Sequence, residues 1–198
     1  MNVNATPNAP GSVEELIKRI KNPNDAAGGP AWQGAAACGA EAIQPLAELL
    51  LEPDMEVARS AKRALYCLTR HAGRPGADAE ARAVEAALLP LLAHEKSAVS
   101  REVLWVLSEI GSDRAVAPMA ALLANEQVRE DARCALLRLP GERPTAALRA
   151  AFRTAPEDFK YALADSLRQR GLEVEGYPSR KLVPSRQTTV TPIAPKPK

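Results

Sequence analysis

Apolar residues recur along this chain at the offsets of one face of an α-helix. Four stretches repeat the pattern: Val57/Ala61/Ala64/Leu65, Val99/Val103/Val106/Leu107, Val128/Ala132/Ala135/Leu136 and Phe159/Leu163/Ser166/Leu167. In each, the set falls four, seven and eight positions after a leading residue, which keeps one stripe of a 3.6-residue helix turned to a core. A degenerate copy sits at Ala27/Ala31/Gly34/Ala35. An apolar helix, usually Pro-Leu-rich, precedes each stretch. The leading residues are 30, 42, 29 and 31 positions apart, so the unit is a helix pair of roughly thirty residues. Self-similarity at that period predicts a stacked array. The expected fold is all-α: a right-handed α-solenoid of about five antiparallel helix pairs with an extended C-terminal tail.

Caps and breakers mark the elements. Ser12 with Glu15 three positions on forms a capping box, opening a helix to Lys21 with Leu16, Ile17 and Ile20 on one face. Asn22-Pro23-Asn24-Asp25 reads as a turn. The helix after it is weak, because Gly28, Gly29 and Gly34 lower helix propensity, while Pro30 suits a first turn. The first pair is therefore expected to be the softest. Gly39 and Gly111 end helices, and Pro45 and Pro118 lie in the first turns of the next. Leu88–Leu92 and Leu148–Phe152 are further versions. Pro53-Asp54 and Pro156-Glu157-Asp158 precede second helices, with acidic groups near the positive dipole end.

The 42-residue spacing contains about a dozen extra residues, including His71-Ala-Gly73-Arg-Pro75-Gly76-Ala-Asp78. They are expected to form a loop between the second and third pairs, with an early start to the next helix. Such insertions are either tolerated connections or decorations of a functional face. The domain plan is a disordered segment 1–11, a repeat domain 12–171 and a tail 172–198. An open solenoid end needs a cover. Residues 172–184 are expected to lie back across it, held by Leu172, Tyr177 and Leu182, with a loose tail as the alternative. Residues 185–198 read as disordered.

Composition agrees with close helix packing, since the apolar residues are mostly Ala and Leu and only seven aromatics occur. The chain carries +2 overall, of which residues 172–198 contribute +3, leaving the helical body at −1. That balance disfavours polyanions as partners. Cys38, Cys67 and Cys134 are odd in number and lack C-x-x-C spacing. They read as small buried or half-buried thiols in a reduced cytoplasmic protein. Residues 1–12 have no basic and apolar leader pattern, and no apolar run is long enough to span a bilayer. Neither His71 nor His94 has a repeating ligand partner, so no metal or cofactor is expected.

The second helices resemble HEAT repeats. The resemblance is carried by Pro53-Asp54-Met-Glu-Val57-Ala-Arg59-Ser-Ala61-Lys-Arg-Ala64-Leu65, by Ala98 to Gly111, and by Val128-Arg129-Glu-Asp-Ala132. The family's turn Asp and helix Val-x-Arg occur together only at Asp54/Val57/Arg59. Lys96 and Asn125 replace the Asp elsewhere, which departs from a full Asp–Arg ladder. The resemblance covers residues 12–171 and implies a fold whose second helices line the concave surface. Function does not follow from it.

Helix geometry turns the stripe into a register. At ~100° per residue, the side opposite the stripe falls at offsets 2, 6 and 9. These positions are Arg59, Arg63 and Tyr66; Arg101, Trp105 and Ser108; Glu130, Cys134 and Leu137; and Tyr161, Asp165 and Arg168. Trp, Tyr and Arg dominate binding hot spots. The candidate binding residues are therefore Arg59, Arg63, Tyr66, Arg101, Trp105, Tyr161 and Arg168, with Trp105 expected beside Arg63 and Arg101. The alternative for Trp105 is a packing role under a cation. Trp32 falls between stripe and groove and reads as packing.

Three function classes follow. The first is a non-catalytic scaffold that binds an unidentified protein or peptide on its concave face, as a monomer or as a subunit of a larger complex. The second, by resemblance to HEAT-like alkylpurine DNA glycosylases, is a nucleic-acid protein using Trp105, Tyr161, Asp165 and Arg101. Against it, Glu102, Glu109, Glu130 and Asp131 interrupt the basic row. The third is a lyase-like enzyme, by resemblance to HEAT-like phycobilin lyases, for which no Cys/His constellation or Gly-rich phosphate loop is present. Beside these three stands a structural role within a larger complex, with the tail as a docking segment. No catalytic residue is assigned, and no membrane partner is expected.

Overall fold

Ser12 opens the first helix, α1 (Val13–Lys21), by accepting from the Glu15 backbone N–H at 3.2 Å. The returning arm of the box is displaced by one residue: Glu15 accepts from Gly11 N–H at 2.7 Å. The computed structural model describes residues 11–22 and 30–179. The expected turn at residues 23–25, Ala27, Gly28 and Gly29, and Leu182 and Val183 lie outside these.

The weak helix of the first pair is wound as a 3-10 segment, Ala31–Ala42, interrupted at Gly39, which has φ 60° and ψ −157°. Only the alanines Ala35 and Ala42 are buried there. Small side chains and glycines supply little to favour the α-form, and the segment packs along the helix Met55–Ala72. Trp32 is partly buried against the core.

Four regular pairs follow. They are α2 (Ile43–Leu49) with α3 (Met55–Ala72), α4 (Asp78–Leu88) with α5 (Ser97–Ile110), α6 (Asp113–Ala121) with α7 (Arg129–Arg138), and α8 (Glu142–Thr154) with α9 (Glu157–Gln169). Short 3-10 turns, Leu89–Ala93 and Leu122–Ala124, extend the ends of α4 and α6. The 3-10 segment, α3, α5, α7 and α9 pack successively into one row. On the other side α2 meets α4, and α6 meets both Leu89–Ala93 and α8. The result is a two-layer α-solenoid of five helix pairs, with no strand among the described residues.

All sixteen stripe residues of the four regular second helices are buried. Ser166, the one polar member, satisfies its hydroxyl by donating to Ala162 O at 3.1 Å. The sequence register is therefore the structural one. Asp54 caps α3 by accepting from Glu56 N–H at 2.8 Å, whereas Lys96 caps nothing with its side chain. Asn125 holds its own turn by accepting from Gln127 N–H at 3.0 Å.

The long spacing contains less loop than expected. α3 runs eighteen residues to Ala72 and α4 begins at Asp78. The residues between are tied down: Arg74 grips Glu80 through two hydrogen bonds of 2.8 and 2.6 Å and also donates to His71 O at 2.7 Å. Ala77 is buried. The insertion is mostly helix, closed by an ion-paired turn.

Candidate binding face on the second helices

The register positions of α3, α5, α7 and α9 lie along one row, and the structure distributes them unequally. Trp105 is the exposed aromatic at the centre of the row, 42% accessible. A guanidinium covers one side of its ring, with the Arg138 carbon 4.7 Å from the ring centroid. The cation comes from the following repeat, on α7, and not from Arg63 on the preceding one as the spacing suggested. Arg138 lies ten residues after Val128, about 70° from the solvent centre line. The narrow angular window missed it, but an arginine side chain is long enough to span that angle.

Trp105 and Arg138 wall a hollow of about 180 Å³ between α5 and α7, lined also by Arg101, Ser108, Glu130, Asp131, Cys134 and Ala135. Arg101 is fixed from one side, bridging to Asp131 at 3.4 Å and donating to Gln127 O at 2.6 Å. Glu130 bridges to Arg133 at 2.8 Å. Among the described residues Arg138 has one ion pair, a long one of 3.9 Å to Glu109, whose carboxylate already accepts from Arg70 at 3.2 and 3.4 Å. Its guanidinium is therefore the least committed charge at the hollow. Cys134 is exposed here, unlike the half-buried Cys38 and Cys67. Burial raises the pKa of the latter two thiols.

Several candidates serve the body of the array. Tyr66 is half-buried between α3 and α5, donating to Glu102 at 2.7 Å. Lys62 meets the same carboxylate at 2.6 Å. Lys62 and Arg70 lie 5.5 and 5.6 Å from the Tyr66 ring centroid. Ser108 is buried, donating to Trp105 O at 2.6 Å. Both depart from the exposure expected of them: Tyr66 is covered from the neighbouring repeat by Glu102, and Ser108, a short side chain folded back on its own helix, sits at the floor of the hollow. Arg59 bridges within its own helix to Glu56 at 2.6 Å. Arg63 is exposed and has no ion pair or side-chain hydrogen bond with a described residue.

Tyr161 and Arg168 meet the chain's own C-terminal segment. The Tyr177 ring stands edge-on to both Phe152 and Tyr161, each pair with centroids 5.2 Å apart. Arg168 donates to Val174 O at 3.4 Å and to the Ser179 hydroxyl at 3.3 Å. Leu172 and Val174 pack against the core. Residues 172–179 thus cover the last pair, and Tyr161 and Arg168 are not an open continuation of the Trp105 hollow.

The environment of Tyr66 carries a pH expectation. Burial first, and then the Glu102 carboxylate, hold its phenol above the usual 10.0. A raised folded-state pKa favours the neutral phenol in the native chain, so its contribution is complete below pH 10 and is lost as pH rises further. In ultraviolet titration, the difference between wild type and Tyr66→Phe should show phenolate absorbance only above the range of a free phenol. Its appearance at the ordinary position would contradict the arrangement.

Fold and face together define a helical repeat protein of the α-solenoid class. No protein-family model matches the chain, and no curated protein matches it. Among solved structures it is similar to an engineered protein at 23% identity and TM-score 0.40, covering 79% of this chain and 78% of that one. It is also similar to a designed armadillo repeat protein in complex with the peptide (KR)4, at 20% identity and TM-score 0.39, covering 81% and 87%. A further engineered protein matches at 23% identity and TM-score 0.38, where 79% of this chain spans 47% of that one. No described helix is long and apolar enough to cross a membrane, and the described residues contain no cluster of potential metal ligands.

Proposed function

We propose that this chain is a non-catalytic, HEAT-like scaffold that binds a protein or peptide on its row of second helices. The observation that carries the reading is Trp105, exposed above a hollow and stacked under an arginine with spare hydrogen-bonding capacity. A rigid aromatic and a pre-positioned guanidinium give a partner apolar area and a charged handle at little ordering cost. The nucleic-acid reading is weaker. Lys62, Arg70, Arg101, Arg129 and Arg133 on this row are all bonded to carboxylates, so few are left for phosphates.

The test is affinity capture with the full chain and two variants. Trp105→Ala and Arg138→Glu should each lower capture of the same partner set at least ten-fold, as expected for a hot spot of about 2 kcal/mol. Circular dichroism should stay unchanged. Capture that survives both substitutions would end the reading. Short duplex DNA should bind weakly or not at all, and tight binding with a steep salt slope would favour the nucleic-acid alternative.

A further inference from the structure

We propose that the α8–α9 surface is itself a site for an extended, tyrosine-bearing peptide, and that residues 172–179 are its occupant supplied in cis. The inference rests on the reading of the second-helix row as a peptide-binding face, and it names the ligand class for the last pair.

Three observations separate a ligand-like contact from simple end-capping. First, the segment is held by Tyr161, Asp165 and Arg168, the solvent-side register positions of α9, in addition to the core-facing contacts of Leu172 and Val174. Second, the grip combines a group any peptide carries with one that selects: Arg168 reaches the Val174 carbonyl at 3.4 Å, while Arg168 and Asp165 share the Ser179 hydroxyl at 3.3 and 3.4 Å. Third, the anchor is one ring in an aromatic angle. Tyr177 stands edge-on to Phe152 at 84° and to Tyr161 at 79°, with the Lys160 ammonium 5.9 Å from its centroid. Tyr161 nevertheless remains 37% accessible. The contact is a surface berth and not a core element. Its ligand is an extended segment with a tyrosine, a carbonyl three residues before it and a hydroxyl two residues after it.

A tether this short gives the segment an effective concentration in the millimolar range, so a free peptide does not displace it from the wild-type chain at lower concentration. Weakening the segment should open the berth. Two full-length variants do this. Tyr177→Ala removes the anchor. Gly176→Val leaves the anchor but strains the segment, because Gly176 has φ +81°, which a β-branched residue resists; a Cβ there would meet nothing within 4 Å, so the strain is in the backbone and not a clash with the body. The probe is a synthetic peptide of residues 172–179, titrated into labelled chain up to about 5 mM while amide shifts from Phe152 to Arg168 are followed.

Both variants should give saturating shifts around Phe152, Tyr161 and Arg168, and wild type less than roughly a tenth of that movement at equal peptide. A probe with alanine in place of its tyrosine should bind about ten-fold more weakly. Unmoved shifts in both variants, equal shifts in wild type, or shifts centred elsewhere would each overturn the proposal. Trp105→Ala lies two second helices away and should leave the titration unchanged. Loss of partner capture there and peptide binding at α8–α9 can therefore fail independently.

Discussion

Replacing Arg170 with alanine is expected to lower stability by about 3–4 kcal/mol, the larger of two effects that follow from polar bridges at helix ends. Arg170 follows α9, yet its guanidinium reaches back to the end of α7. One nitrogen donates to Leu136 O at 2.6 Å, to Leu137 O at 3.0 Å and to Leu139 O. The other donates to Gly141 O at 3.1 Å and to the Thr145 hydroxyl at 2.9 Å. The last carbonyls of a helix have no partner within it and carry the negative end of its dipole, which a cation complements. A single side chain thus closes α7, fixes the turn into α8 and holds α9 against both. Burial presses its pKa below the usual guanidinium value, but an arginine remains charged at neutral pH. Arg170→Lys should recover less than half of the loss, because an ammonium cannot fork across two sets of acceptors. Thermal unfolding should register the alanine variant as a fall of about 10 °C. A change under 1 kcal/mol would mean that water satisfies these carbonyls as well as the guanidinium does.

Glu85→Ala is expected to cost about 2–3 kcal/mol. Glu85 lies on α4, 1% accessible, and accepts from the Ser112 backbone N–H and hydroxyl, both at 2.7 Å. Ser112 is the N-cap of α6 and accepts from Arg114 N–H at 3.2 Å. The carboxylate therefore sits at the positive end of the α6 dipole and joins the third pair to the fourth. Removing it leaves a small cavity and a cap without its acceptor. Glu85→Gln keeps one acceptor oxygen and should cost roughly half as much. Urea unfolding of the three proteins gives the ranking, and an alanine variant as stable as wild type would show the bridge to be dispensable.

Neither residue is conspicuous in the sequence. Glu85 is one glutamate in an alanine-rich helix, and Arg170 falls after the last periodic position. Their roles depend on helix ends that lie 27 to 34 residues away. The stripes were legible because burial of a helix face repeats at 3.6 residues whatever the neighbour is. Exposure was legible only in part. Tyr66 and Ser108 occupy solvent-side offsets, but Tyr66 is half-buried against Glu102 of the next second helix and Ser108 is buried with its hydroxyl on its own helix. Trp105 stayed exposed at its expected offset, while its cation came from Arg138 in place of Arg63.

Glu102, Glu109 and Asp131, which interrupt the basic row, are its partners. Glu102 and Glu109 on α5 receive Lys62 and Arg70 from α3, Asp131 on α7 receives Arg101 from α5, and Asp158 on α9 receives Arg129 from α7. Each bridge runs between successive repeats. Which charges meet depends on how one helix is shifted and turned against the next, and an offset within a single helix does not encode that shift.

The sequence by itself therefore determined the paired helices, their five-fold repetition and the buried stripe, because periodic apolar burial is a local property that each helix states alone. Tertiary structure decided which charges are spent on neighbours, which arginine lies on Trp105, and that residues 172–179 cover the last pair. The physical reason is range. Ion pairs, ring contacts and cap hydrogen bonds act over a few ångströms, so they exist only where packing brings together residues that are decades apart in the chain.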